Sequence, residues 1–330
     1  MKLPKEIQTF EGLEEIAALA NVNRLCKSGY RDSIVLTYHA DNRSFKTVLV
    51  KIRFLRFLRS LSYGWLNEGF MRAREYSDAL IEAFKANTEG YRQSYELMSD
   101  EKSRRLFLNV LAGEMLCDVR YGVPFKPNDH SMGGYCHVND LPEGDEAFFR
   151  AGEVLVDCGA YTGDTLQELI DAGYKPKKYF GFEPDPGNYH NAKDRLAESG
   201  VEGEVYNAAV FKENCTLRFD SIDGGSSQVT GDGSISVDAL SIDQTINEPV
   251  TLIKMDIEGS ECDALEGAAH VIKKYKPKLA ISVYHKPTDL AYIPQLIKKL
   301  NADYSMFSVR WRANHYLASY GFVDVVLYVR

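Results

Sequence analysis

Three stretches of this 330-residue chain carry side chains of the type and spacing that chemistry needs: Asp157 to Gly163, Asp256 to Glu261, and the pair Tyr284-His285. The first follows three apolar residues, Val154 to Val156, and leads into a helical pattern at Leu166, Leu169 and Ile170 that stops at Gly173. That predicts a buried strand, a tight turn and a helix. Gly159 and Gly163 let the backbone approach a ligand without interference from Cβ, and the first free N–H groups of the helix face the same point. An acid at the strand tip, Asp157, suits a cationic group.

A ligand carrying both an ammonium and a carboxylate, such as the amino-acid part of S-adenosylmethionine, fits this turn. A dinucleotide fits less well, because Tyr161 and Thr162 stand where its fingerprint wants Gly-x-Gly-x-x-Gly. Further along, each expected strand tip again carries a polar residue: Glu183, Asn207, Asp256 and His285. In an open α/β sheet, ligands bind off these carboxyl ends. Glu183, twenty positions after Gly163, can accept two hydrogen bonds from ribose hydroxyls, and Asn207 with Ala208 can face an adenine edge.

The acidic run Asp256-Ile257-Glu258-Gly259-Ser260-Glu261 could position a hydroxyl, act as a base, meet an amino group or hold a divalent ion. Alternatively Glu258 and Glu261 favour the start of the following helix through its dipole, and Glu261 is read in that sense alone. His285, with an ordinary pKa near 6.5, is expected to serve as a neutral base for an alcohol. Asp256, Glu258 and His285 are therefore the expected catalytic residues, and no metal ligand set is expected.

The elements that must hold these residues alternate strand and helix from 151 onward: strands at 178–183, 205–210, 216–219, 250–257, 279–284, 304–311 and 322–329, and helices after 185, 260 and 289. This implies a mostly parallel sheet with helices on both faces. The last two strands lack a helix between them, so one should run antiparallel at the edge. Asp185-Pro186 is a cap and first-turn pair, and the Gly/Ser-rich stretch 224–233 reads as a loop.

Residues 1–150 read as a separate, mainly helical region, with a hairpin at 33–39 and 46–52 and a helix starting after Ser99-Asp100, whose stripe is Leu106, Val110, Gly113 and Cys117. Tyr121 to Asp145 is a connector holding His130, Tyr135 and His137. Lys51 to Leu61 places four cations among large apolar residues, which reads as an ordinary docked segment, with membrane-surface contact as the alternative. Six scattered cysteines signal neither zinc nor disulfides; Cys158 reads as a small buried residue. No apolar run of about 18 residues appears. The start of the chain lacks the pattern of a secretory signal, so a cytoplasmic protein is expected. Residues 1–150 carry 21 basic and 21 acidic residues and 151–330 carry 18 and 26, so the net charge of −8 lies in the second stretch, and nucleic acid is not an expected partner.

The quoted motifs together resemble the FkbM family of S-adenosylmethionine-dependent methyltransferases. The resemblance runs from about Glu153 to Val329 and rests on Val-Asp-Cys-Gly-Ala-Tyr-Thr-Gly-Asp-Thr (156–165), Gly-Phe-Glu-Pro-Asp (181–185), Asn-Ala-Ala-Val (207–210), Ile-Lys-Met-Asp-Ile-Glu-Gly-Ser-Glu (253–261) and Ile-Ser-Val-Tyr-His-Lys (281–286). It implies a Rossmann-like class I fold, a seven-stranded mostly parallel sheet with an antiparallel terminal strand. It further implies S-adenosylmethionine contacts at Asp157, Gly159, Ala160, Gly163, Glu183, Asn207 and Asp256, and O-methylation of a sugar or a small metabolite. The family's Arg-His-Tyr on the penultimate strand stands here as Val309-Arg310-Trp311. Residues 1–150 lie outside the motifs and are expected to form a cap that selects the acceptor or a dimerisation region. The competing expectations are a cofactor-binding partner without turnover and an NAD-linked oxidoreductase.

Overall fold

The computed structural model describes residues 7–21, 33–39, 45–51, 64–116, 135, 141, 148–220, 228–229, 235–312 and 324–330. His130, His137, the segment 52–61, Cys26, Cys117 and Cys136, the turn 41–44 and most of 224–233 lie outside these residues. The chain divides into two compact units: residues 1–132 with 287–291 and 309–325, and residues 133–286 with 292–308 and 326–330.

The first unit contains helices Phe10–Asn21, Gly64–Ala86, Thr88–Leu97 and Glu101–Leu116, and a hairpin of β1 (Ser33–His39) and β2 (Phe45–Lys51), paired antiparallel. Aromatic residues tie the helices together: Phe84 lies 5.9 Å from Phe10 and 5.1 Å from Tyr91 between ring centroids. Asp100 caps the last helix through the Ser103 N–H, as its start signal predicts. The expected narrow stripe on that helix is in fact a nearly complete apolar girth, since every residue from Leu106 to Ala112 is buried. Asn109, inside that girth, is satisfied by both the N–H and the C=O of Ile7.

The main strands are β3 (Val154–Cys158), β4 (Lys178–Phe182), β5 (Glu202–Tyr206), β10 (Leu252–Met255), β11 (Lys278–Ser282), β12 (Phe307–Arg312) and β13 (Asp324–Val329). Among the described residues they form a seven-stranded sheet in the order β12-β13-β11-β10-β3-β4-β5. β10, β3, β4, β5 and β11 pair in parallel, and β13 pairs antiparallel to β11. The antiparallel strand is thus not at the edge: β13 inserts between β11 and β12, where all six of its residues are buried. The near-continuous apolar runs of these strands suit a sheet covered on both faces.

Between β5 and β10 the chain builds a second sheet that the sequence did not suggest, from β6 (Ala209–Val210), β7 (Cys215–Asp220), β8 (Gln228–Val229) and β9 (Ile235–Leu240), in the order β6-β9-β7-β8. The third core strand therefore ends at Tyr206, and Ala209–Val210 turns away to pair with β9. The helix expected after Ser260 is broken into Glu261–Glu266 and Ala269–Tyr275, and at the break Gly267 packs so closely that a Cβ there would lie 2.2 Å from the Phe211 carbonyl oxygen. Helix Pro186–Ser199 has the predicted Asp185 cap, accepting from the Asn188 N–H, and ends on Gly200 at φ +62°. No helix among the described residues is long and apolar enough to cross a membrane.

One buried acid in the first unit has a measurable consequence. Burial, reinforced by Asp289, pushes the Glu114 carboxyl up to about 8. The folded form therefore keeps a proton that the unfolded chain gives up near its ordinary value, so this group costs stability as pH rises from about 4.5 to about 8. Wild type should lose up to about 3 kcal/mol between pH 4.5 and 7 on this account, and Glu114→Gln should flatten that slope. Denaturant melts across this range check it; parallel slopes in the two proteins would remove Glu114 as the source.

Candidate functional site

The glycine turn is set by close packing. Gly159 (φ +76°) leaves the end of β3 against the chain after β10, where a Cβ would stand 2.1 Å from the Asp256 carbonyl oxygen. The N–H groups of Gly159 and Ala160 both donate to the Phe182 carbonyl, which ties the turn to β4. Gly163 takes φ +75° at the start of helix Asp164–Asp171. Between the glycines Tyr161 is also left-handed, at φ +47°, with its ring half exposed at 52%. A non-glycine residue held there is strained, which is characteristic of sites that do chemistry.

Glu183 follows the tip of β4 and is nearly buried. One carboxylate oxygen accepts the Tyr161 N–H and the other the Asp185 N–H, each at 2.9 Å. Burial raises its carboxyl to about 7 against the pull of these two N–H groups. Asn207, after β5, donates its amide to the carbonyls of Glu183 and Pro184, so it braces that turn; Ala208 is buried. The expected contact residues Gly159, Ala160, Gly163, Glu183 and Asn207 are thus joined by one set of hydrogen bonds around the tips of β3, β4 and β5.

Asp157 differs from expectation. Its side chain is fully buried, with Oδ2 accepting the Tyr179 hydroxyl at 2.8 Å and Oδ1 3.0 Å from Lys254 Nζ. The two charged residues are partners in adjacent strands, β3 and β10. Gly181 leaves the room that Tyr179 needs, since a Cβ there would lie 2.8 Å from its ring. Burial raises the Asp157 carboxyl against the opposing pull of Lys254; burial works to lower Lys254, but the charges of Asp157 and Asp256 outweigh it and hold the ammonium. Lys254 Nζ also donates to the Gly159 carbonyl at 2.7 Å. Asp157 therefore supports the turn from behind and presents no free charge to a ligand. Cys158 is buried, and burial pushes its thiol up.

The second cluster gathers around Asp256, whose Oδ2 accepts the Tyr135 hydroxyl at 2.6 Å and whose Oδ1 accepts the Tyr284 hydroxyl at 3.1 Å. Tyr135, expected on a connector, is buried, its N–H given to Glu168 and its carbonyl receiving the Tyr328 hydroxyl. His285 Nε2 lies 3.2 Å from Asp256 Oδ1 and 3.8 Å from Glu258 Oε2, and Nδ1 lies 2.8 Å from Glu261 Oε1. Glu258 itself is left-handed at φ +55°. Burial alone would lower the His285 imidazole, but Asp256 and Glu261 hold it well above its usual value. These surroundings favour the charged ring over the neutral base that the sequence suggests. Among the described residues no three His, Cys, Asp or Glu side chains are grouped to hold a metal ion.

Lys254, Tyr179 and the buried role of Glu261 were not found by sequence reasoning. A lysine inside the apolar run Leu252-Ile253-Lys254-Met255 was the available signal, because a buried cation needs a buried anion on a neighbouring strand.

The strand order and the placement of polar residues at the tips define a Rossmann-like class I methyltransferase fold. Residues 157–306 match the family model described as the Methyltransferase FkbM domain. The solved structure of methyltransferase FkbM from Methylobacillus flagellatus KT is similar to this chain with a TM-score of 0.60 at 25% identity, covering 76% of this chain. This chain spans 62% of the length of that one. The M1A22 tRNA methyltransferase of B. subtilis aligns at a TM-score of 0.35 and 12% identity, over 55% of this chain and 61% of its own. The ribosomal protein L11 methylase of Lactobacillus delbrueckii subsp. bulgaricus aligns at 0.31 and 12%, over 54% of this chain and 70% of its own. No curated protein matches the chain.

Breaking the pair behind the turn should be severe. Asp157→Asn deprives buried Lys254 of its paired carboxylate and should cost about 3–5 kcal/mol, whereas adding Lys254→Met should recover a large part of that loss. Chemical denaturation of the two single variants and the double variant checks the coupling; additive losses would mean that the pair does not act as a unit.

Proposed function

We propose that this chain is an S-adenosylmethionine-dependent O-methyltransferase whose acceptor is a hydroxyl on a sugar, a glycan or a small metabolite. The observation that carries the reading is Glu183: a nearly buried carboxylate at the second strand tip, fastened by the N–H of Tyr161 to the glycine turn of the first. Such a carboxylate can receive vicinal ribose hydroxyls without moving, because its two backbone donors already fix its orientation. The FkbM family match over residues 157–306 supports the same cofactor.

Bound there, S-adenosylmethionine supplies an electrophilic methyl group. On this reading Gly159, Ala160 and Gly163 give the close backbone approach, Glu183 fixes the ribose, and Asn207 with Ala208 flank the adenine. Asp256 and Glu258 position the acceptor hydroxyl and take its proton, and His285 contributes a fixed positive charge beside them. Asp157 belongs to the cofactor site through the turn it holds. Acceptor selection is assigned to residues 1–150, which lie outside the family match. The excess of carboxylates in 151–330 favours an uncharged acceptor over a nucleic acid.

The test is calorimetric titration with S-adenosylhomocysteine at pH 6, 7 and 8. Since Glu183 titrates near 7 and only its carboxylate accepts two hydroxyl donors, affinity should rise about tenfold from pH 6 to pH 8. Glu183→Gln should bind more weakly at pH 8 and lose the dependence. A flat wild-type profile would remove Glu183 from the ribose role. Binding of NAD in place of S-adenosylhomocysteine would favour the oxidoreductase, and binding of S-adenosylhomocysteine with no turnover on any hydroxylated acceptor would favour the partner without catalysis.

A further inference from the structure

Glu261 is the carboxylate of the acidic run to which the proposed chemistry gives no part. It opens helix Glu261–Glu266, where an acid acting only through the helix dipole would sit in water. Instead its side chain is 1% exposed. Oε1 accepts the Ile257 N–H at 3.0 Å and lies 2.8 Å from His285 Nδ1. Oε2 is buried and has no hydrogen-bond partner among the described residues. A desolvated carboxylate with half its capacity unused is costly unless a cation faces it. The cation available is the His285 ring, itself 6% exposed.

The other side of that ring faces the reacting end. Nε2 lies 3.2 Å from Asp256 Oδ1 without the alignment of a full hydrogen bond, and 3.8 Å from the half-exposed Glu258 carboxylate. The Tyr284 ring packs at 4.2 Å between centroids, and Lys286 follows in the chain. The Tyr135 hydroxyl reaches Asp256 from its far oxygen.

We propose that Glu261 is a positioning residue: by taking the Nδ1–H of His285 it holds the ring with its Nε2–H directed at Asp256 and Glu258, so that His285 acts as a fixed donor and not as a base. The consequence for catalysis rests on the methyltransferase reading. With both ring nitrogens protonated, the proton released by an acceptor hydroxyl passes to a carboxylate, Asp256 or Glu258, and the imidazolium offsets the charge that builds on the oxygen. The geometry of the Glu261–His285 pair itself does not depend on the cofactor. The upward push that Asp256 and Glu261 give the imidazole agrees with it.

The experiment is a nitrogen-15 NMR titration of the histidine rings in the full chain, with His285 assigned by comparison with His285→Gln. In wild type both ring nitrogens should carry protons at pH 7.5, with a midpoint above 6.5. Glu261→Gln, which keeps shape and hydrogen bonding, should lower the midpoint by about 1–3 units and leave the affinity for S-adenosylhomocysteine within about twofold. Glu258→Gln should shift it less, because that carboxylate is farther away and half exposed. A wild-type His285 that titrates at or below 6.5 overturns the proposal even if Glu261→Gln fails to fold. So does an unchanged midpoint in Glu261→Gln, an equal shift in Glu258→Gln, or a tenfold loss of S-adenosylhomocysteine binding in Glu261→Gln, which would indicate a general structural defect. Wild type that fails to bind S-adenosylhomocysteine while His285 titrates high would overturn the methyltransferase reading and leave the pair standing.

Discussion

Two opposite charges face each other across adjacent strands at the centre of the sheet, Asp157 on β3 and Lys254 on β10, both almost without solvent. Neither tolerates burial alone, so each fixes the register of the other's strand. Lys254 extends the constraint forward: its ammonium holds the Gly159 carbonyl and lies 5.1 Å from the centre of the Tyr135 ring. Tyr135 in turn donates to Asp256. One buried cation thereby connects the glycine turn, where the cofactor is proposed to lie, with the acidic cluster, where the acceptor is proposed to react. Pairing this central to the sheet also explains why Tyr179 and Gly181 occur together on β4, the tyrosine reaching Asp157 and the glycine making room for it.

The acidic cluster has a different logic. Three carboxylates, Asp256, Glu258 and Glu261, lie within 4 Å of one histidine, and Asp256 and Glu261 raise its imidazole against the opposing effect of burial. In the proposed reaction such an arrangement would set a positive centre where negative charge develops on an acceptor oxygen and leave the proton to oxygen acids. Glu183 follows the opposite rule: few opposing charges reach it, burial dominates, and its carboxyl is raised toward neutrality. Two titrating groups at one set of strand tips are thus moved in ways that local environment sets, not residue type.

Several features were legible because they are local. The Asp185-Pro186 start and Gly200 stop of one helix, the Gly173 end of another and the strand before Asp157 all follow from backbone preference and capping, which neighbours in sequence settle. The alternation of strand and helix, and with it the fold, followed from apolar runs of the right length. What failed was non-local. The second sheet rests on Ala209–Val210 pairing with β9, some thirty residues away, and the place of β13 rests on which strand it pairs with. The close approach of Gly267 to the Phe211 carbonyl is likewise something no pattern within the helix announces.

The sequence by itself determined which polar residues stand at the strand ends, because strand length and the turns after it are written in consecutive residues. It therefore placed Asp157, Glu183, Asn207, Asp256 and His285 at one end of one sheet, and the family motifs with them. Only the tertiary structure decided what those residues face. Asp157 turns inward to Lys254, Tyr135 reaches Asp256, and Glu261 is the buried partner of His285. The physical reason is that charge state and hydrogen-bond partner depend on distance and desolvation, and both are properties of chain segments brought together from far apart.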